Sequence, residues 1–209
     1  MKALVLAGGE VRVDERLRRL AQEADWVVAA DSGLRHAAAL GVIAELVVGD
    51  FDSVSADVLS RYPGLPQERH PADKDSLDLE LALSHARTRG AAEVAVIGGL
   101  GGRLDQTLAA VLIAARAQQG GLEVILYDEA STVRFVAGGG ALELTLPEGT
   151  RFSVLSLSPA STVSLTGARF PLEDYALEFG LGLGVSNESA AETLSIRVSA
   201  GLIAVIVLS

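Results

Sequence analysis

Two aspartates separated by a single residue, Asp50 and Asp52 in Gly49-Asp50-Phe51-Asp52-Ser53, stand where a short apolar run ends. In an extended segment, side chains two apart point to the same side. The pair therefore concentrates negative charge that a cation relieves. Asp is also a favoured turn residue, but two further acidic blocks shift the balance toward a metal site: Asp31-Ser32-Gly33 and Asp73-Lys74-Asp75-Ser76-Leu77-Asp78. Oxygen ligands without His or Cys suit magnesium better than zinc. Asp75 and Asp78 fall at a predicted helix start, where acids cap the helix and complement its dipole. Asp75 reads as the cap, and Asp78, nearly one turn further on, reaches the metal.

A second constellation is Gly98-Gly99-Leu100-Gly101-Gly102-Arg103-Leu104-Asp105. Glycines let backbone amides approach a phosphate, and a following helix start favours anions. The loop is neither a complete dinucleotide fingerprint nor a Walker loop, since Leu104 takes the third glycine place and no Gly-Lys pair exists. Arg103 adds a permanently charged planar donor suited to phosphate; a surface salt bridge is its alternative role.

These residues need elements to hold them. Apolar runs at Lys2–Ala7, Trp26–Ala30, Glu45–Val48, Glu93–Ile97 and Glu123–Tyr127 read as strands. Helical patterns over Val13–Glu23, Leu34–Leu40, Asp75–Arg89 and Asp105–Gln119 separate them. Strands apolar throughout, with helices between, predict a parallel sheet covered on both faces. Ligands of such a sheet bind beyond the carboxyl ends of its strands, where the acidic and glycine blocks stand. From about Ser131 helical periodicity gives way to short alternating segments, among them Ala141–Leu146, Phe152–Leu157, Thr162–Leu165, Thr193–Val198 and Leu202–Leu208. The expectation is an α/β domain over 1–130 followed by an antiparallel β-sandwich over 131–209.

Of the 209 residues, 49% are hydrophobic, enough for packed cores, and the formal net charge is -10. That charge argues against nucleic-acid or anionic-membrane binding. No cysteine is present, which excludes disulfides and thiolate chemistry. The histidines, His36, His70 and His85, are scattered and read as surface or helix residues. The opening apolar run stops at Gly8, too short for a secretory signal, and the apolar tail falls short of the ~20 residues of a membrane helix. A cytoplasmic protein is expected.

Taken together, these blocks resemble the thiamine pyrophosphokinase family. The resemblance runs in order through Ala30–Gly33, Gly49–Ser53, Asp73–Glu80 and Gly98–Gln106, then through Leu165–Leu172, Leu177–Gly180 and Gly184–Glu188. It implies Mg2+-dependent transfer of the diphosphate of ATP to the thiamine hydroxyl, giving thiamine diphosphate and AMP. It implies an ATP-binding α/β domain, a sandwich that helps bind thiamine, and a homodimer with the active site at the interface. By resemblance, Asp50, Asp52 and Asp78 are metal ligands. Asp31, Ser32, Gly33, Gly98, Gly99, Gly101, Gly102 and Arg103 contact ATP. Asp105, Gln106, Phe170, Ser186 and Asn187 serve thiamine, and the aromatic face of Phe170 suits a cationic thiazolium. Asp78, Asp105 and Arg103 are the catalytic candidates, with Asp78 or Asp105 as general base. Asp52→Asn is expected to cut turnover by at least about 10²-fold.

Departures from the family pattern are Ser32 for a second glycine, Leu77 for a hydroxyl residue and Gln106 for the histidine of many bacterial members. The alternative activity is a 6-hydroxymethylpterin pyrophosphokinase, and from another class a non-catalytic nucleotide or thiamine sensor, which the intact acidic cluster disfavours.

Overall fold

Five parallel strand pairings build the first half of the computed structural model, which describes residues 1–71, 73 and 75–208. In chain order the elements are β1 (Lys2–Leu6), α1 (Glu15–Gln22), β2 (Trp26–Ala30), a 3-10 turn (Asp31–His36) and α2 (Ala37–Leu40). Then follow β3 (Leu46–Gly49), α3 (Ala56–Ser60), β4 (Gln67–Arg69), α4 (Asp78–Thr88), β5 (Glu93–Ile97), α5 (Leu104–Gln119) and β6 (Glu123–Tyr127). The sheet runs β6-β5-β1-β2-β3-β4. The chain builds outward from β1 on one side, then returns after β4 to place β5 on the other. The carboxyl end of β1 is therefore the point where the strand order reverses, the usual position of a ligand crevice.

The apolar runs are continuous because both faces of these strands are covered: all five residues of β2 and four of five in β1 are buried. Leu4, Leu6, Leu17, Leu34, Leu40, Val47 and Ile97 share one core. Asp14 fixes the start of α1 by accepting from the Leu17 N–H at 2.8 Å, and left-handed Gly41 ends α2. Truncating fully buried Leu17 to Ala is expected to cost about 2–5 kcal/mol, read from the shift in a urea midpoint.

Three local expectations are corrected. The helix predicted from Asp75 begins at Asp78, because Glu80 turns back to accept the Leu77 N–H at 2.9 Å and closes the first turn there. Asp75 therefore precedes the helix rather than capping it. The segment before α2 is a 3-10 turn starting at Asp31. The histidines are also less scattered than their spacing implied: His36 is buried, while His70 and His85 both approach Glu68 Oε1, at 2.8 and 3.1 Å. Burial works to raise the Glu68 carboxyl, but those two hydrogen bonds and the histidine charges outweigh it and hold it below the usual range. Strand β4 escaped the sequence reading because Gln-Glu-Arg on a sheet edge carries no apolar signal.

The chain divides into two compact units, the first ending at Glu129 and the second starting at Ala130. The second holds β7 (Ser131–Ala137), β8 (Gly140–Thr145), β9 (Arg151–Ser156), β10 (Ala160–Thr166), β11 (Leu172–Glu178), β12 (Asn187–Glu188), β13 (Thr193–Ala200) and β14 (Leu202–Leu208). Its strands form two antiparallel groups, β7-β14-β9-β12 and β8-β13-β10-β11. Alternate residues of β9, β10 and β13 point inward. Phe152, Val154 and Val205 of one group share a core with Val163, Leu165 and Ile196 of the other. That interdigitation makes a sandwich. The expected fold class, a parallel α/β unit followed by an antiparallel β-sandwich, is what the chain adopts.

Candidate active site

Asp31, Asp50 and Asp78 each offer an oxygen, and these oxygens all lie within 4.8 Å of one another. The fold brings them from three places: Asp31 immediately after β2, Asp50 immediately after β3, and Asp78 at the first position of α4. Gly49 makes the convergence possible. A Cβ at that position would lie 3.0 Å from the Asp31 Cβ and 3.3 Å from the Asp78 Cγ, so a side chain there would crowd both acids. Asp31 is buried, and among the described residues its Oδ1 has no hydrogen-bond partner. Burial raises the Asp31 carboxyl above the ordinary range; the negative charges of Asp78 and Asp50 push the same way, against a stabilising hydrogen bond from the Ser32 backbone. A buried, unpaired carboxylate oxygen facing two further acids is costly by itself and suits a hard divalent cation.

Asp52 is not one of the converging three. The reason is Phe51, whose φ of 66° is left-handed and breaks the same-side geometry that an extended segment would give. The Asp52 backbone N–H turns back to the Asp50 Oδ1 at 3.2 Å, and its carboxylate accepts from the Ser53 hydroxyl at 2.6 Å. The Arg69 guanidinium covers the Phe51 ring at 4.4 Å and braces this turn. Asp31, expected beside ATP, stands with Asp50 and Asp78 in this cluster. Asp50→Asn and Asp78→Asn, like Asp52→Asn, are expected to slow turnover by at least about 10²-fold, in steady-state assays at saturating metal.

Beside the carboxylates lies a cleft of about 460 Å³, lined by Gly8 and Gly9 after β1, Ser32 after β2, and Gly98, Gly101 and Gly102 after β5. Arg103 and Gln106 reach it from the start of α5. The Arg103 fork is paired with Asp105, Nε to Oδ1 at 3.1 Å and a terminal nitrogen to Oδ2 at 2.6 Å. The hydrogen bond and charge of Asp105 raise the already high Arg103 pKa, and the Arg103 hydrogen bond holds the Asp105 carboxyl below its usual range. Both side chains are exposed, so water weakens the pair. Sequence reasoning missed Gly8, Gly9, Arg35 and His36. The glycine pair directly after the first strand was the available signal.

In the second unit Phe170 is 60% exposed. Buried Asn187 holds it: Oδ1 accepts the Phe170 N–H at 3.1 Å and Nδ2 donates to the Phe170 carbonyl at 2.8 Å. The same Oδ1 accepts the Glu188 N–H. Asn187 thus acts on the aromatic platform through its backbone. Left-handed Ser186 donates its N–H to the Ser153 hydroxyl. Phe179, Leu181, Leu183 and Val185 are also exposed apolar side chains of this unit.

The family models described as "Thiamin pyrophosphokinase, catalytic domain" and "Thiamin pyrophosphokinase, vitamin B1 binding domain" match residues 17–126 and 141–203. Each match falls inside one compact unit. The chain is 26% identical over 190 residues to a thiamine pyrophosphokinase of Bacillus subtilis (strain 168), covering 88% of this chain and 87% of that protein. It is 26% identical over 210 residues to thiamin pyrophosphokinase 1 of Caenorhabditis elegans, covering 95% and 85% respectively. Among solved structures, a thiamine pyrophosphokinase from Bacillus subtilis superposes with a TM-score of 0.89 at 23% identity, covering 100% of this chain and 99% of that one, a likeness of fold. A thiamin pyrophosphokinase from Geobacillus thermodenitrificans gives 0.86 at 26% identity, covering 100% and 98%.

Proposed function

The chain belongs to the thiamine pyrophosphokinase family, and from that premise we propose that the cleft above β1 binds ATP and that the adjacent carboxylates hold the Mg2+ that accompanies it. The carrying observation is the convergence of Asp31, Asp50 and Asp78 with a buried oxygen that has no hydrogen-bond partner among the described residues. Asp52 joins the proposed ligand set from the neighbouring turn. Magnesium bound there neutralises phosphate charge and orients the chain of phosphates.

The residues of the chain supply the rest. Amides of the Gly98–Gly102 loop approach the phosphates, and Ser32 and Gly33 border the nucleotide at the turn after β2. Arg103 leaves Asp105 and pairs with the phosphate oxygens, stabilising charge as it redistributes. The Asp105 carboxylate released by that exchange accepts the thiamine hydroxyl proton. The hydroxyl oxygen bonds to the β-phosphorus in line, the bond from that phosphorus to the α–β bridging oxygen breaks, and AMP leaves with the electron pair. Phe170 offers its face to the thiazolium, on a backbone held by Asn187 and flanked by Ser186; Gln106 contributes a neutral amide. The domain roles follow: nucleotide on the first unit, vitamin contacts from the second. A cytoplasmic location is part of the same reading.

Incubation with thiamine, ATP and magnesium tests the reading. Equal yields of thiamine diphosphate and AMP, abolished by EDTA, are expected. ADP with thiamine monophosphate refutes attack at the β-phosphorus, and product from a hydroxymethyl-pterin but not from thiamine moves the assignment to the pterin enzymes.

A homodimer is part of this reading. Leu104, Leu108 and Leu112 are 72%, 55% and 60% exposed on α5, a stripe at four-residue spacing along one helix face. Such a stripe supports pairing with a second copy. The double substitution Leu108→Glu with Leu112→Glu is expected to halve the mass seen by light scattering after size exclusion; an unchanged mass removes α5 from the interface.

A further inference from the structure

Arg35 and His36 close the 3-10 turn that begins at Asp31, and both reach back across the sheet edge to the turn after β1. A terminal nitrogen of Arg35 donates to the Gly8 carbonyl at 2.5 Å and to the Gly9 carbonyl at 3.0 Å. The His36 Nε2 meets the same Gly9 carbonyl at 2.9 Å. On its other side, the Gly9 N–H donates to the Gly98 carbonyl at 2.9 Å. Gly9 is thus tied on one side to the turn carrying Asp31 and on the other to the Gly98–Gly102 loop.

We propose that Arg35 and His36 are positioning residues of the nucleotide site, holding the Gly8–Gly9 turn so that it and the Gly98–Gly102 loop keep a fixed stance toward Asp31. The proposal rests on the reading of the cleft as an ATP site.

Two adjacent glycines have more backbone freedom to lose than any other pair, and a cleft wall made of them needs external anchors to be rigid. Arg35 is a surface side chain with water available to it, yet it is committed to consecutive carbonyls 27 and 26 positions away. His36 is buried. Burial lowers its pKa, against the Gly9 hydrogen bond and with the neighbouring Arg35 charge, so the ring is neutral and donates its Nε2 proton to Gly9 without bringing a second charge beneath the cleft. Arg35 also lines the cleft, with guanidinium N–H groups beyond those given to the turn. A polyphosphate nucleotide is the ligand class that gains, since its several oxygens must meet the Asp31 side and the glycine loop at once.

The experiment compares Arg35→Met and Arg35→Lys, and His36→Leu and His36→Gln, with the full-length wild type. Arg35→Met and His36→Leu are expected to raise the KM for ATP about 10–100-fold, with the KM for thiamine and kcat changed less than about threefold. Lys and Gln, which retain a donor, are expected to recover most of the loss. In the ligand-free protein, amide hydrogen exchange over Gly8–Glu10 should accelerate in the Met and Leu variants while the β5 amides stay protected. A folded Arg35→Met with the wild-type KM for ATP and unaltered exchange overturns the clamp, as does an equal rise in both KM values. A wild type that neither binds ATP nor forms AMP overturns the ATP reading and the nucleotide role with it, a failure visible before any variant is made.

Discussion

Asp31→Asn is expected to lower diphosphate transfer by at least about 10²-fold while making the metal-free protein more stable. The two effects share one cause. Asp31 is buried, has an oxygen with no hydrogen-bond partner among the described residues, and faces Asp50 and Asp78, so its negative charge opposes folding until a cation arrives. Its carboxyl is raised by burial first and by those neighbouring charges after; the folded chain therefore holds this proton more tightly than the unfolded chain. Without metal, stability rises as pH falls through the raised folded-state value, and the gain is complete below the unfolded value. Metal affinity moves oppositely, because the cation needs the ionised group. Asparagine removes the charge at nearly constant volume, with an expected gain of about 1 kcal/mol, or roughly 2–4 °C in Tm, in calorimetry with EDTA. Adding magnesium should stabilise the wild type by mass action and leave the variant unmoved. A variant equally stabilised by magnesium, or one with ordinary turnover, removes Asp31 from the metal site.

Gly33→Ala is expected to be the most damaging single-methyl change near the site. The added Cβ would stand 2.0 Å from the Leu6 carbonyl oxygen, 2.5 Å from its carbon and 2.9 Å from the Ala7 carbonyl carbon. All three belong to the backbone at the end of β1, which is paired on both sides by β2 and β5 and cannot yield to relieve the clash. Overpacking of this kind costs about 3 kcal/mol, or roughly 6–12 °C in Tm. Because the displaced strand end leads into Gly8 and Gly9, residual folded protein should also bind ATP weakly. Gly64→Ala is the control: its φ of +82° strains a side chain, but no atom of the described residues lies within 4 Å of the new Cβ, and the expected loss is about 1 kcal/mol. Equal urea midpoints for the two variants refute the steric account.

The parallel α/β unit, the sandwich and most strand positions were legible because burial on both faces, or on alternate residues, writes itself into the chain as continuous or alternating apolar runs. Val28, Val47 and Ile125 announce buried strands wherever they are read. Elements without that pressure stayed hidden: the edge strand Gln67–Arg69 and the largely exposed Leu172–Glu178 carry polar residues because water covers them. The site divides likewise. Its acids, the glycines of Gly98–Gly102 and Arg103 were named by residue type and by position after strands, since a sheet of this kind exposes its carboxyl ends to ligand. Membership of the carboxylate cluster was not. Asp50 and Asp52 read as same-side neighbours because alternation assumes an extended backbone, which the left-handed Phe51 interrupts; Asp31 stands beside Asp50 because β2 and β3 are neighbours. The clamp of Arg35 and His36 on Gly8 and Gly9 spans 26 or 27 positions and leaves no local pattern. Sequence by itself determined which residues were available for chemistry and which strands delivered them, because those are local consequences of burial and residue type. Which oxygens meet, and which carbonyls are gripped, only the tertiary structure decided, because those depend on strand order and on single backbone dihedrals that no periodicity records.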